Sequence, residues 1–115
     1  MEKPEISFDD FSKLDLRTGL IVESSLVPGS EKLIELKVDF GTEIGQKTIY
    51  SGIKTWYEPE SLVGRRLIFV INLAPKHFKI EGVSYVSHGM LLASGENEAV
   101  LYTFDKEVPA GAIVH

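Results

Sequence analysis

The sequence predicts a small all-β domain, either a closed barrel or a sandwich. Five or more short runs of β-branched, aromatic and other apolar residues are separated by turns that contain Gly or Pro. Few segments have a helical pattern. With 115 residues, of which 43% are hydrophobic, the chain can build one core without disulfides, and it has no cysteine. We therefore expect one domain over residues 1–115.

The chain begins with a predicted helix and a predicted strand. A short helix is expected within residues 7–14, because Ser7 can cap it and Asp10 follows three residues later. Residues 16–27 then form a β-rich run that predicts the first strand. Gly19 lies inside this run, and a glycine within a strand indicates a bulge or a sharp bend, as a small barrel requires.

The next two strands follow from alternation and β-propensity. Residues 33–40 alternate apolar and polar side chains, which predicts a strand with one face in the core. The residues expected to face inward are Ile34, Leu36, Val38 and Phe40. Residues 41–45 predict a turn, and residues 47–53 are short and β-rich, which predicts a third strand.

The second half of the chain predicts a helical turn and three further strands. Residues 57–64 form the turn, which has a proline near its start and a glycine at its end. Residues 66–73 are apolar throughout and predict a central strand. Residues 87–94 and 99–104 predict the fifth and sixth strands, and residues 108–114 close the chain with further apolar groups.

The apolar residues after position 95 exceed what a five-stranded barrel needs. An exposed apolar patch is unfavourable in water, so we expect this surface to be buried against other protein. One interpretation is that the segment packs against a second subunit. The other interpretation is that the segment covers one end of its own barrel. The pattern alone favours neither.

Charge is distributed unevenly along the chain. The net charge is −5, which by itself argues against a polyanionic partner. Residues 44–80, however, carry six basic and two acidic side chains, whereas both flanking segments are acidic. A phosphate backbone responds to the local field, so a nucleic acid remains among the partners that the charge allows.

The sequence contains no motif for catalysis, for metal binding or for crossing a membrane. No GK[ST] follows the glycines at positions 41 and 45, and no serine stands in a G-x-S-x-G frame. The three histidines are scattered, without the spacing of metal ligands. We expect no enzyme activity, no cofactor and no metal. The lack of cysteine, of a ~20-residue apolar run and of an N-terminal signal core predicts a soluble cytoplasmic protein.

Five-stranded barrels of this length include the oligonucleotide-binding fold. In that fold the ligand lies across strands two and three, and the loop between strands four and five flanks it. Residues 72–90 would be that loop, and they contain Lys76 and Lys79, which can pair with phosphates. Further contacts are expected from Asn72, Ser87, Met90 and Phe78.

Four stretches of the sequence resemble the tRNA-binding domain family. They read FSKLDLRTGLIVE, DFGTEIG, YSGIKTWYEPESLVGRRLIFVINLAP and SHGMLLAS, and the resemblance covers residues 8–114. The family includes the C-terminal domain of methionyl-tRNA synthetase, a free-standing structure-specific tRNA-binding protein and the CsaA-type secretion chaperone. The resemblance implies a five-stranded oligonucleotide-binding barrel over about residues 14–94, preceded by a short N-terminal helix. It also implies a C-terminal β extension over about residues 95–115 that is used in dimerisation.

The same resemblance implies a non-catalytic homodimer that recognises tRNA by shape and backbone. The chain would be a free-standing tRNA-binding protein or the C-terminal domain of methionyl-tRNA synthetase, with an aminoacyl-tRNA synthetase as a further partner. The S-x-G-M element maps onto Ser87, Gly89 and Met90, and the basic position after N-L-x-P maps onto Lys76. The expected tRNA-binding residues are Asn72, Lys76, Lys79, Ser87, Met90, Lys54, Arg17 and Lys32.

A second branch of the family provides the alternative function. LDLRTG and DFGTEIG look like the CsaA branch, which binds unfolded or precursor proteins in export. In that case the same groove would hold an extended peptide, with Met90, Phe78 and Trp56 as its apolar contacts. The S-G-I and G-M-L-L-A elements, at residues 51–53 and 89–93, favour the tRNA branch.

Overall fold

The computed structural model describes residues 1–115, and short β-strands form most of its regular structure. The strands are β1 (Leu16–Leu26), β2 (Ile34–Asp39), β3 (Gln46–Ser51), β4 (Arg66–Val70), β5 (Lys76–Ile80), β6 (Val83–Ser87), β7 (Met90–Leu91) and β8 (Ile113–Val114). The helical elements are α1 (Phe8–Phe11), α2 (Gly41–Ile44) and a 3-10 turn (Pro59–Ser61). The predicted all-β class is confirmed. None of the helices has the length and apolar character needed to cross a bilayer.

Five antiparallel strands form a nearly closed barrel in the order β3-β2-β1-β4-β7. The two ends of this sheet approach each other where the His88 N–H donates a 3.0 Å hydrogen bond to the Thr48 carbonyl. β8 adds to the open side of β1, where Val114 pairs with Leu16. Strand number and order agree with the oligonucleotide-binding barrel that the sequence predicts.

The core is filled by the inward faces of these strands. All four residues that alternation assigned to the inside of β2 are buried; these are Ile34, Leu36, Val38 and Phe40. Phe40 meets Phe69 of β4 edge to face, with ring centroids 5.4 Å apart. Because successive side chains of a strand point to opposite faces, the polar residues between them form the outer surface of β2.

Gly19 allows core side chains to pack closely against the backbone of β1. The bulge that was expected at this position lies further along the same strand. The register between β1 and β2 shifts between Ile21 and Glu23, not at Gly19. A Cβ atom on Gly19 would lie 2.5 Å from Val38 Cγ1 and 2.7 Å from Phe40 Cε1. The missing side chain therefore makes room for β2 residues inside the barrel, which a strand pattern alone does not distinguish from a bulge.

The first helix agrees with its prediction, since the Asp10 N–H donates a 3.0 Å hydrogen bond to Ser7 Oγ. Residues 72–90, predicted to be a loop, instead contain the β5–β6 hairpin. Its turn residues, Glu81 and Gly82, have φ values of 49° and 80°, and positive φ at both central residues is what a type I′ turn requires. In place of the strand predicted over residues 87–94, the structure has only the two-residue β7. Ser87, the first residue of that prediction, is the last residue of β6.

The segment after residue 95 covers part of its own barrel. Ala99 and Leu101 pack against the core. Residues 99–104, predicted to be a sixth strand, form only a single bridge, between Ser94 and Val100. Other apolar side chains of this segment are exposed, namely Val100, Tyr102 and Ile113. Its use in dimerisation stays a prediction.

Candidate functional site

An open groove of about 700 Å³ lies between the connection from β1 to β2, residues 27–33, and the β5–β6 hairpin, with β3 beneath it. The residues that line it are Gly29, Ser30, Glu31, Lys32, Leu33, Tyr50, Leu73, Ala74, Lys76, Phe78, Ile80, Ser87, Gly89 and Met90. This is the face of the barrel, flanked by two connections, at which oligonucleotide-binding folds hold ligands. The sequence analysis expects a ligand at this face, which stays a prediction, and it did not predict that one wall is a hairpin.

The hairpin presents two different faces. Its register pairs Phe78 with Tyr85 and Lys79 with Ser84. Because side chains alternate along a strand, Phe78 and Lys76 share the face that lines the groove, whereas Lys79 lies on the opposite face. The structure therefore separates the two lysines that the sequence analysis had grouped.

Three aromatic rings join the hairpin to the barrel. Tyr50 of β3 meets Phe78 edge-on, with ring centroids 5.2 Å apart, and meets Tyr85 at 5.5 Å. Phe78 and Tyr85 stack on each other across the hairpin at 5.4 Å. The sequence analysis did not select Tyr50 or Tyr85. Strand alternation could have identified Tyr50, because its neighbour Ile49 is the inward residue of β3.

Tyr50 is also held by polar contacts. Its hydroxyl donates a 2.7 Å hydrogen bond to Glu35 Oε2 of β2. Burial, followed by this hydrogen bond and the charge of Glu35, raises the pKa of Tyr50 above its ordinary value of 10.0. The phenol is therefore a neutral donor at physiological pH, and its ring is fixed in the floor of the groove.

Ser87 is a buried part of this floor. Its Oγ accepts a 3.0 Å hydrogen bond from the Tyr50 N–H and donates at 3.2 Å to the Gly89 carbonyl. A Cβ atom on Gly89 would lie 2.9 Å from the carbonyl oxygen of Val70, so the backbone at this point passes very close to β4. The S-x-G-M element thus shapes the groove, and its last member, Met90, is exposed along the wall.

Two of the expected cations face the groove from different walls. Lys32 belongs to the 27–33 connection and Lys76 to β5, and neither makes a salt bridge. Glu31 also lines the groove. Lys54 does not line the groove. It supports the 27–33 connection, since its Nζ donates a 2.9 Å hydrogen bond to the Ser30 carbonyl.

The remaining predicted residues lie away from the groove. Asn72 connects β4 to the N-terminal segment: its Oδ1 accepts from the Asp15 N–H at 2.8 Å and its Nδ2 donates to the Lys13 carbonyl at 2.7 Å. Arg17 bonds Asp15 at 2.6 Å and the Gly111 carbonyl at 3.1 Å. The hydrogen bond with Asp15 raises the pKa of Arg17. Both side chains secure the termini to the barrel.

The tip of the hairpin meets the 27–33 connection at Gly29. The carboxylate of Glu81 packs so closely on Gly29 that a side chain at that glycine would collide with it. Gly29 has a φ of 83°, a conformation that residues with a Cβ rarely adopt.

The chain matches known proteins over nearly its whole length. The family model of the putative tRNA binding domain matches residues 16–113. Methionine–tRNA ligase of Methanothrix thermoacetophila is 50% identical over 111 residues, which are 96% of this chain and 16% of that protein. Methionine–tRNA ligase of Pyrococcus furiosus is 48% identical over 110 residues, which are 95% of this chain and 14% of that protein. This chain thus spans about a sixth of the length of these relatives.

Solved structures with the same fold come from two differently named groups. Chaperone CsaA of Bacillus anthracis is 30% identical with a TM-score of 0.84, covering 97% of this chain and 100% of that chain. The MetRS related protein of Pyrococcus horikoshii is 36% identical with a TM-score of 0.82, covering 98% of this chain and 100% of that chain.

Proposed function

The chain belongs to the family of putative tRNA binding domains, and on that premise we propose that it is a non-catalytic module that binds tRNA in the groove. Binding would follow the shape and backbone of the tRNA, because lysines contact phosphates without reading sequence. The module would act within or beside an aminoacyl-tRNA synthetase, which its similarity to methionine–tRNA ligases supports. It would hold tRNA for the enzyme rather than carry out chemistry.

The placement of Lys32 and Lys76 carries this proposal. They lie on different walls of one groove, and neither is neutralised by a carboxylate within salt-bridge distance. Unpaired cations on both sides of a groove suit a polyanion that passes between the walls. The acidic residues elsewhere keep the molecule soluble without occupying these two side chains.

We also propose that two copies of the chain associate through residues of the 95–115 segment. Three apolar side chains of this segment, Val100, Tyr102 and Ile113, remain exposed on the single chain. A second subunit is one means of removing such residues from water. A homodimer would present two grooves to one tRNA or to two.

Fluorescence anisotropy of labelled bulk tRNA, recorded at several salt concentrations, tests the proposed function. With two phosphate contacts, at Lys32 and Lys76, a plot of log affinity against log salt concentration should have a slope of roughly −1.5 to −2 for each groove. An excess of unfolded protein should leave this binding unchanged. Absence of tRNA binding at low salt would contradict the proposal.

The alternative is binding of unfolded or precursor protein, as in a CsaA-like chaperone. Two observations favour it: the similarity to the CsaA structure and the outer edge of β5, which has no strand partner besides β6. An extended peptide can pair with such an edge while its side chains enter apolar pockets. Suppression of aggregation of a denatured client by stoichiometric protein, unaffected by added tRNA, would support this function instead.

A further inference from the structure

A second open cleft, of about 590 Å³, lies at the start of β4, between residues 65–67 and residues 102–108. It is separate from the groove, because no residue lines both. The groove instead reaches β4 at its opposite end, where Met90 pairs with Val70. Two of the three arginines of the chain, Arg65 and Arg66, line the second cleft.

Arg66 is half-buried and has an unpartnered nitrogen. The next residue, Leu67, is part of the core, so alternation along β4 places the Arg66 side chain on the outer side of the barrel. Its Nε atom is buried, and no atom of the chain accepts a hydrogen bond from it. Because buried N–H groups nearly always have an acceptor, this one is expected to bind one that the chain does not supply, from water or from a ligand.

Arg65 is held in place beside this nitrogen. Its Nε donates a 3.0 Å hydrogen bond to the Ser61 carbonyl, and its guanidinium carbon lies 5.7 Å from the centre of the Tyr57 ring. The hydrogen bond uses one of the five N–H donors of the guanidinium group. The two terminal nitrogens of Arg65 therefore have donors left for a ligand, on a side chain whose position is already fixed.

The opposite wall adds two more donors and both acids of the cleft. Thr103 contributes a hydroxyl and Lys106 an ammonium group, whereas Asp105 and Glu107 are acidic. Basic side chains of the cleft therefore outnumber acidic ones by three to two. None of the three basic side chains makes a salt bridge, so their charge is available to an anion. An anion placed between like charges also relieves their mutual repulsion, which water does only in part.

We propose that this cleft binds a phosphate group, with Arg65 and Arg66 as the principal donors and with Thr103 and Lys106 on the opposite wall. A phosphate carries at least three acceptor oxygens around one centre, so it can accept hydrogen bonds from both arginines and from the opposite wall at once. A carboxylate has only two oxygens in one plane, which match a single guanidinium group. The phosphate belongs to a small ester or to the backbone of an RNA. The inference does not rest on the proposed function, since the cleft and the groove share no residue.

The Nε–H signals of the three arginines in a ¹H–¹⁵N correlation NMR spectrum test the site directly. The Nε of Arg17 donates to Asp15 and that of Arg65 to Ser61, whereas that of Arg66 has no acceptor, so the three environments differ. The full chain is titrated with sodium phosphate, and sodium chloride keeps the ionic strength constant. We expect a saturable shift of the Arg66 signal and an unchanged Arg17 signal. An Arg66 signal that stays in place, or that moves without saturating, would overturn the inference.

Lys106→Gln and Lys3→Gln form a matched pair of variants. Both lysines are exposed, but only Lys106 lines the cleft. Lys106→Gln should weaken phosphate binding about twofold to fivefold, and Lys3→Gln should leave it unchanged. Arg65→Gln, also at an exposed residue, should weaken it about tenfold, because charge-assisted hydrogen bonds are lost. Equal phosphate affinity of Arg65→Gln and Lys3→Gln would contradict the site.

Two further titrations identify the source of the phosphate and its main competitor. If the phosphate belongs to an RNA backbone, Arg65→Gln should weaken tRNA binding and make its salt slope shallower by about 1. If it belongs to a small ester, Arg65→Gln should weaken binding of inorganic phosphate and leave tRNA binding unchanged. Both results support the site. Sodium acetate that shifts the Arg66 signal at lower concentration than phosphate does would reject it, in favour of a carboxylate such as one from a second copy of the chain.

Discussion

The Oγ of Ser87 accepts a hydrogen bond of 3.0 Å from the backbone N–H of Tyr50, which joins the end of β6 to the last part of β3. Ser87 is only 6% exposed. Its hydroxyl hydrogen is also used, in the bond to the Gly89 carbonyl. The serine of the S-x-G-M element therefore connects the hairpin to the barrel and sets the width of the groove between them.

Replacing Ser87 by Ala should destabilise the fold by about 1–3 kcal/mol, because the Tyr50 N–H would lose its partner in a place that water reaches poorly. Urea unfolding measures this free energy. Ser84→Ala is the matched control, since Ser84 is exposed on the other face of the same strand. Equal stability of the two variants would show that the Ser87 hydrogen bond has no structural role.

Lys76→Ala and Lys79→Ala should differ in their effect on tRNA binding, because the two side chains lie on opposite faces of β5. Loss of Lys76 should weaken binding of all tRNAs to a similar extent and make the salt slope shallower by about 1. Loss of Lys79 should have a smaller effect on both. Anisotropy titrations at several salt concentrations give both quantities, and a larger effect at Lys79 would place the RNA on the outer face of the hairpin.

Tyr50→Phe should change how stability depends on alkaline pH. The folded-state pKa of Tyr50 is raised above its ordinary value of 10.0. Its contribution to stability is therefore complete below that value and is lost as the pH rises through the folded-state pKa. At neutral pH the variant should be less stable by about 1 kcal/mol, since the bond to Glu35 is lost.

Thermal midpoints of wild type and Tyr50→Phe, measured from neutral pH to about pH 11.5, test this dependence. The gap between the two proteins should narrow above pH 10, because only the wild type has this tyrosine to ionise. Parallel curves over the whole range would mean that Tyr50 titrates equally in the folded and unfolded states.

Gly19→Ala should destabilise the barrel by about 1–3 kcal/mol, because the added methyl group overlaps Val38 and Phe40 in a packed core. Gly52→Ala is the control: a Cβ atom there meets nothing within 4 Å, so its effect should stay within about 0.5 kcal/mol. Denaturant unfolding of both variants makes the comparison. If Gly19→Ala were as stable as wild type, the tight packing at this glycine would be disproved.

Ile113→Glu should convert the proposed dimer to a monomer. Ile113 is 63% exposed on β8, and a charge there would be left without a partner in an apolar interface. Light scattering at micromolar concentration should give twice the chain mass for wild type and for Val63→Glu, whose exposed side chain lies outside the 95–115 segment. A monomeric wild type would reject the dimer.

Local patterns predicted the barrel well. The alternation of Ile34, Leu36 and Val38 identified β2 and its buried face, and the Ser7 cap identified α1. Both signals involve residues close in sequence, so a local pattern can record them. The same reasoning placed Met90 and Lys76 beside the expected ligand face of such a barrel, and both line the groove, whereas their part in binding stays a prediction.

Features that depend on distant partners were not predictable. The Glu81–Gly82 turn lacks the Asn-Gly or Asp-Gly sequence that usually indicates a hairpin. The amide of Asn72 is engaged by the N-terminal segment, 57 and 59 residues away, which no local pattern encodes. Residues 99–104 have strand-like composition but pair with the rest of the chain only through the bridge at Val100, which no sequence pattern shows.

Because the turn at Glu81 and Gly82 has only two residues, the length of the hairpin, and with it the depth of the groove, can change only in discrete steps. Adding one residue to each strand of the hairpin next to the turn lengthens the hairpin by one residue pair and leaves Lys76 and Phe78 facing the groove. A single inserted residue in one arm would shift the pairing and exchange the inner and outer faces beyond it. Length variants in homologues, or in engineered forms of this domain, should therefore occur in even numbers of residues.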